Sequence, residues 1–171
     1  MPRLELTPET QVPPDMQSRY SQVTATQSGL ADTFQALFAN PHVANGLAGL
    51  DELVGQSDLE PWIKYTVALA VAHEQDSANL WNAFEPLASE AGVRDAVVDA
   101  IAAGTAPRGL LPQEGIWVHF ALEVLRNKVR DSTWQAVTHL VGDAGAVSLA
   151  FTACYYEMMG RLNSSFGLDT S

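Results

Sequence analysis

The chain has 171 residues, of which 47% are hydrophobic and 17% are charged, a composition that excludes a disordered chain and suits one globular domain. Twenty acidic against nine basic residues give a formal net charge of −11, which repels phosphate backbones and argues against a nucleic-acid partner. Cys154 is the only cysteine, which excludes an intramolecular disulfide and makes a reducing, cytoplasmic location the expected one.

Residues 1–28 are predicted to form an extended or flexible N-terminal arm. Pro2, Pro8, Pro13 and Pro14 occur there among Thr, Gln and Ser, and this mixture neither propagates a helix nor donates regularly to a sheet. The opening stretch MPRLELTPET has no apolar core of the kind that a secretory signal needs, so we expect no targeting segment.

Residues 29–171 are predicted to form one all-helical domain. Apolar residues recur there at helical spacing, and no segment alternates apolar and polar residues for long enough to predict a strand. The first two apolar stripes cover residues 30–38 and 43–54, and Pro41 separates them.

A pair of longer helices is predicted next. Ser57 and Glu60 have the spacing of a capping box, so the first helix should cover about residues 58–73. The second is expected over about residues 76–91, with Pro86 inside it.

Further helices are predicted in the carboxyl half, where glycines end two of them. They cover about residues 93–103, 112–127, 132–141 and 144–162. The longest uncharged stretch after the polar N-terminal tract, residues 144–156, is shorter than the roughly 20 residues needed to cross a bilayer. We therefore expect a buried helix there and no membrane partner.

His73 and Glu74 begin a zinc-protease motif, but that motif needs a second histidine at the position of Ser77. His73, Asp76 and Ser77 could still share a face at a helix junction, where they would bind a metal or pass a proton. Because the four scattered histidines supply no third ligand, a solvated junction is the favoured interpretation and no metal is expected.

Several side chains of the carboxyl half are candidates for packing or for a pocket. Cys154 lies in AFTACYYEMMG without a basic neighbour, and we expect it to be inert packing. Tyr155 and Tyr156 face about 100° apart, so one can pack in the core while the other offers its hydroxyl to a cavity. Trp117 and His119 also lie on different faces of one helix, and His119 is expected to line a pocket.

Three stretches of the chain carry a family resemblance: WIKYTVALAVAHEQDSANLWNAFEPLASEAGV, VHFALEVLRNKVRDSTWQAV and GDAGAVSLAFTACYYEMMGRLNSSFGL. Together they resemble the carboxymuconolactone decarboxylase superfamily, which also contains the alkylhydroperoxidase-D-type proteins. The order and spacing match over about residues 41–168, and EPLASEAGV and KVRDSTW are the more specific parts. The resemblance implies an all-helical fold and a homo-oligomer, often a trimer or hexamer.

The family's chemistry maps by this resemblance onto Tyr65, Ser77, Leu80 and Phe84. Decarboxylase-type members usually carry Glu, Glu and His at the first, third and fourth positions, and peroxidase-type members carry cysteines at the second and third. This chain departs from the family at all four. Leu80 and Phe84 cannot move protons, and one distant cysteine cannot form the redox pair, so peroxidase activity is not expected.

Two functions are compatible with this resemblance. One is a cofactor-independent enzyme that acts on a small organic intermediate, such as a lactone, a carboxylate or a natural product, by decarboxylation, isomerisation or cyclisation. The other is a non-catalytic protein of the same fold that binds a small molecule or serves in an assembly. The enzyme is favoured because polar groups remain near the expected mouth of the family cavity.

The predicted site is an apolar pocket on which Tyr65 and His119 converge, with His73 as a third catalytic candidate. Substrate-binding side chains are expected from Ser77, Leu80, Trp81, Phe84, Tyr155 and Tyr156. No cofactor is expected, and the predicted partners are a small-molecule substrate and further copies of the chain.

Overall fold

The computed structural model of the chain describes residues 1–25, 29–104 and 110–169. Within these ranges there are eight α-helices and no strand, so the predicted all-helical class is confirmed. In chain order the helices are α1 (Gln17–Val23), α2 (Ala31–Leu37), α3 (Pro41–Gly55), α4 (Pro61–Glu74), α5 (Ala78–Glu90), α6 (Asp95–Ala103), α7 (Pro112–Leu125) and α8 (Asp131–Phe166).

Helix α4 is the centre of the fold, because it packs against α5, α6, α7 and α8. Its sequence PWIKYTVALAVAHE is apolar on nearly every side, and eight of its residues are buried. A helix of this kind needs neighbours all round, whereas each surrounding helix needs to bury only one face. Side chains of α4 therefore reach several helix interfaces at once.

The helix pair predicted from the sequence is present, but α4 begins later than expected. Pro61 is its first residue, and Glu60 before it has an extended backbone with φ −57° and ψ 135°. A residue that precedes proline avoids the helical region, so the predicted capping box of Ser57 and Glu60 is wrong. The Ser57 hydroxyl instead accepts a hydrogen bond from the Leu59 N–H at 3.1 Å.

The N-terminal segment is not simply the extended arm that its prolines predicted. It contains helix α1, whose Tyr20 and Val23 side chains are buried in the core. Near the start of the N-terminal segment, the Arg3 N–H donates a hydrogen bond to the Phe166 carbonyl at the end of α8, at 2.7 Å. The prolines precede the helix rather than interrupt it, which is why a helix can form here. Residues 26–28 of the predicted arm lie outside the described ranges.

Glycines end or interrupt two helices where the sequence predicted a boundary. Gly104 follows α6 with φ 63°, a left-handed conformation that favours glycine. Gly142 has φ 73° and ψ 174°, so it breaks α8 into two helical segments. The sequence predicted a boundary at Gly142 between the last two helices. That boundary is confirmed, as a break inside α8.

By length and composition alone, α8 could cross a membrane, with a mean hydropathy of 1.3 over its most apolar 18-residue window. Only 28% of that window is buried inside the chain. Ala146, Leu149 and Ala153 are buried, but Val147 is 61% exposed. The expectation of a buried helix over residues 144–156 therefore holds only for one stripe, which packs on the core, and is wrong for the outer face.

Candidate functional site

The four positions that the family resemblance singled out lie around α4 and α5. The Tyr65 and Phe84 ring centroids are 6.3 Å apart, and the ring of Phe84 lies 4.7 Å from that of Tyr156. Leu80 is 0% exposed and Phe84 is 1% exposed. Two of the predicted substrate-binding side chains are therefore part of the core and offer no surface to a ligand in this conformation.

Ser77 is a helix cap rather than a free hydroxyl. It is buried, and its Oγ accepts a hydrogen bond from the Leu80 N–H at 3.3 Å at the start of α5. The same hydroxyl donates to Asp169 Oδ1 at 2.6 Å, and the Asn79 N–H donates to that oxygen at 3.2 Å. The Ser77 hydroxyl therefore both accepts and donates a hydrogen bond within the chain, and its donor is not free for a substrate.

A carboxylate that the sequence analysis missed lies beside Tyr155. Asp51 of α3 accepts a hydrogen bond from the Tyr155 hydroxyl at 2.9 Å. Burial raises the pKa of Asp51, while the Tyr155 hydrogen bond and nearby Lys64 act in the opposite direction. Tyr155 and Tyr156 are both buried, and burial together with the nearby Asp51 charge raises the pKa of each hydroxyl. Both tyrosines therefore stay protonated near neutral pH.

Lys64 is a second polar group that sequence reasoning missed. Its Nζ lies 4.8 Å from the centroid of the Tyr65 ring. Burial lowers the pKa of Lys64, and the Asp51 charge partly offsets this effect. Burial raises the pKa of Tyr65, as do Asp51 and Glu90. The signal for Lys64 was its position as the lone charge in the apolar run from residue 61 to residue 72.

His73 and His119, two of the predicted catalytic residues, line one cavity of about 320 Å³ between α4, α6 and α7. Its walls include the apolar side chains of Ile101 and Val118. At its edge, Arg126 Nε and Nη2 donate to the two carboxylate oxygens of Glu74, at 3.0 and 3.2 Å. Two imidazoles and a paired guanidinium thus line one cavity together with apolar side chains.

The close approach of α6 to His73 depends on a glycine. A Cβ atom added at Gly104 would lie 3.1 Å from His73 Nε2, and Gly104 already has a positive φ. On its other side, the His73 ring lies 6.4 Å from the Trp81 ring, where both residues line a smaller cavity of about 230 Å³. His73 therefore lies between two cavities.

The predicted site residues fall into two groups. Tyr65 joins Phe84, Tyr155 and Tyr156 in one aromatic cluster. His73 is eight residues further along α4, about 12 Å along the helix axis. His119 lines the cavity of His73, which does not include Tyr65. The predicted convergence of Tyr65 and His119 is therefore not seen in this cavity.

Cys154 is exposed, so the expectation that it packs in the core is wrong. Its neighbours Ala153 and Tyr155 occupy the buried stripe of α8, which turns Cys154 outward. Burial of part of the thiol and the nearby charge of Glu157 raise its pKa, so little thiolate forms near neutral pH. Among the described residues, no group of three or more His, Cys, Asp or Glu side chains could hold a metal ion.

No protein-family model and no curated protein matches the sequence. Among solved structures, the chain is similar to an uncharacterized peroxidase-related protein from Ralstonia eutropha JMP134, described as an alkylhydroperoxidase AhpD core. The match covers 97% of this chain and 90% of the other, with a TM-score of 0.80 and 16% sequence identity. Likeness at this level concerns the backbone and leaves the reaction open. The chain therefore has the fold of the alkylhydroperoxidase AhpD core, as its resemblance to the carboxymuconolactone decarboxylase superfamily predicted.

Proposed function

We propose that the protein is a cofactor-independent lyase or isomerase that moves a proton on a small carbonyl compound, such as a lactone or a keto acid. The reaction would be a decarboxylation, an isomerisation or a cyclisation in the cavity of His73 and His119. The observation that carries this proposal is that both imidazoles line one cavity of about 320 Å³. Histidine exchanges protons near neutral pH, and pockets of this size accept small ligands.

The edge of the cavity also supports an acidic or carbonyl-bearing substrate. Glu74 holds the guanidinium of Arg126 through two hydrogen bonds, which fixes its orientation. Arginine carries further N–H donors, which remain for a substrate carboxylate or carbonyl oxygen. In this proposal Arg126 orients the substrate, and the two histidines act as proton donor and acceptor.

Peroxidase chemistry through paired cysteines is not part of this proposal. In the peroxidase-type proteins that the chain resembles, cysteines occupy the positions of Ser77 and Leu80. Cys154 is the only cysteine in this chain. A single thiol cannot alternate between a dithiol and an intramolecular disulfide.

One observation favours the alternative, a non-catalytic binding protein. Leu80 and Phe84 fill the positions that carry acid–base groups in the resembling decarboxylases, and both are completely buried or nearly so. If the His73 and His119 cavity only binds its ligand, the protein would be a receptor or assembly subunit on an enzyme fold.

The experiment uses oxaloacetate, acetoacetate and γ-butyrolactone as probes, with CO₂ release and deuterium uptake from D₂O as the readouts. We expect turnover by the wild-type chain to fall by about a hundredfold in His73→Ala and in His119→Ala, because each would lose a proton-transfer group. His42→Ala and His139→Ala are matched controls, since both residues are exposed and lie outside this cavity.

The outcomes separate the two functions. Turnover that persists in both cavity variants would contradict the proposed mechanism. Probes that shift the NMR signals of His73 and His119, leave those of His42 and His139 unchanged and are not turned over would establish the binding protein instead.

We also propose that the chain is cytoplasmic and forms a homo-oligomer. Large apolar side chains are exposed on α3 and α8, where Leu53 is 55% exposed and Val147 is 61% exposed. Exposed apolar side chains grouped on a protein surface are typical of association sites. The mass in solution, measured by light scattering, gives the subunit number.

A further inference from the structure

A third cavity, of about 500 Å³, is lined by neither His73 nor His119. It is formed by the segment before α4, the first turns of α4 and α7, and the region of α8 around its break. The side chains that matter for its chemistry are Asp58, Glu60, Trp62 and Trp117.

Residues on both sides of the break in α8 line this cavity. Gly142 interrupts the helix, and Gly145 follows one turn later and lines the cavity. A Cβ atom added at Gly145 would lie 2.6 Å from Val141 Cβ and 3.6 Å from Leu59 Cδ2. Glycine at residue 145 therefore avoids a clash with Val141, whereas the distance to Leu59 is an ordinary van der Waals contact.

Two indole rings meet in the cavity. The Trp62 and Trp117 ring centroids are 6.5 Å apart with an interplanar angle of 71°, an edge-to-face arrangement. Trp62 Nε1 donates a hydrogen bond to Glu60, which holds that carboxylate beside the indole. Indole is the side chain that attracts organic cations most strongly through its π face.

The charged side chains among the described residues that line the cavity are both acidic. Asp58 and Glu60 are exposed, and no described Lys, Arg or His lines the cavity. The net charge of −11 adds a long-range attraction for cations. An anionic ligand would be repelled here, whereas a cation would gain from both carboxylates.

Trp117 adds a hydrogen-bonding requirement. The residue is 2% exposed, and its Nε1 is the one buried side-chain donor or acceptor atom in the described residues that lacks a hydrogen-bond partner. A buried indole N–H without an acceptor is unfavourable, and a ligand oxygen that reached it would remove that cost.

We propose that this cavity binds a small organic ammonium ion that also carries an acceptor oxygen, with choline as the simplest example. The ammonium group lies against the Trp62 indole and near Asp58 and Glu60. Trp117 is buried, so its indole must turn toward the cavity before its N–H can donate to the ligand oxygen. This site is separate from the His73 and His119 cavity, so it stands or falls independently of the proposed reaction.

The first experiment compares three probes on the wild-type chain by isothermal titration calorimetry. Choline tests the whole site, 3,3-dimethylbutan-1-ol has the same shape without the charge, and tetramethylammonium has the charge without the hydroxyl. We expect choline to bind at least about tenfold more tightly than either. Equal affinity for choline and its neutral isostere, or no binding of choline up to about 10 mM, would overturn the proposal.

The second experiment tests the residues. D58N/E60Q should weaken choline binding by about tenfold or more, whereas E85Q/D99N removes two exposed acids elsewhere and should leave it unchanged. Asp58 and Glu60 precede α4, where acids also offset the helix dipole. If they serve only that purpose, D58N/E60Q will lower the melting temperature but leave choline affinity at the control value, which contradicts the proposal. The probe comparison on the wild-type chain decides the matter if the double variant does not fold.

Discussion

Asp51 and Tyr155 form a side-chain hydrogen bond between α3 and α8, at 2.9 Å. Tyr155→Phe would leave the partly buried carboxylate without this donor, so we expect the free energy of unfolding to fall by about 1–3 kcal/mol. Asp51→Asn should cost less, because the amide oxygen still accepts from Tyr155 and no charge is buried. Urea denaturation at pH 7 measures both values, and a larger loss in Asp51→Asn would contradict this interpretation.

Glu114 gives a prediction about acid stability. Hydrogen bonds from Arg94 lower its pKa most, and the Leu111 N–H, which donates to Glu114 Oε1 at 2.8 Å, lowers it further. Because the pKa is lower in the folded chain, its contribution to stability is complete above the ordinary value of 4.5 and is lost as pH falls through the folded value. Glu114→Gln should therefore flatten the loss of stability in acid.

The measurement for Glu114 is urea denaturation at a series of pH values from neutral into acid. Glu85→Gln is the control, because Glu85 is exposed and forms no ion pair among the described residues. A slope against pH that is the same for Glu114→Gln and the wild type would show that the Arg94 pair contributes no acid sensitivity.

At the level of the helices, Gly142 is the position where backbone conformation decides stability. Its φ of 73° and ψ of 174° are strained for any residue with a Cβ, so Gly142→Ala should lower the free energy of unfolding by about 1–3 kcal/mol. Gly46→Ala in α3 is a matched control, since nothing lies within 4 Å of its added Cβ. That change should raise stability by about 0.5–1 kcal/mol, because alanine favours helix.

Thermal or urea denaturation of the two glycine variants provides the comparison. If Gly142→Ala is as stable as Gly46→Ala, the break in α8 does not require glycine. The cavity of Trp62 and Trp117 should also change shape in Gly142→Ala, because Val141 and Ala144 on the two sides of the break line it.

Most helices could be predicted because the information lies in neighbouring residues. Apolar stripes predicted α2 and α3, and Gly104 and Gly142 marked two boundaries. Helix α1 was missed because the prolines of the N-terminal segment suggested an extended chain, although none lies within residues 17–23. The predicted start of α4 was too early, because the prediction followed the capping pattern of Ser57 and Glu60. In the structure Pro61 decides where the helix begins.

The site was less predictable because its contacts join distant parts of the chain. Asp51 and Tyr155 are 104 positions apart, so no local pattern connects them. The sequence did select His73 and His119, but their common cavity depends on how α4 packs against α7. The burial of Leu80 and Phe84 likewise follows from neighbours on other helices rather than from their own segment.

For the molecule as a whole, the exposed apolar side chains lead to a prediction about assembly. We expect light scattering to give a mass that is a multiple of the 18.4 kDa chain. Val147→Glu should reduce that mass if α8 contributes to the interface, because it places a charge on an apolar surface. Gln135→Glu adds the same charge at an exposed polar position of α8 and should leave the mass unchanged. A monomeric wild-type chain would contradict the prediction.

The outward position of Cys154 makes such an assembly directly measurable. Because the chain has one cysteine and that cysteine is exposed, a nitroxide spin label would attach once per subunit without any substitution. The label should react with the thiol faster in mildly alkaline solution, since burial and the charge of Glu157 raise the thiol pKa. Magnetic dipolar coupling between labels would then report the distances between the α8 helices of neighbouring subunits in the unmodified sequence.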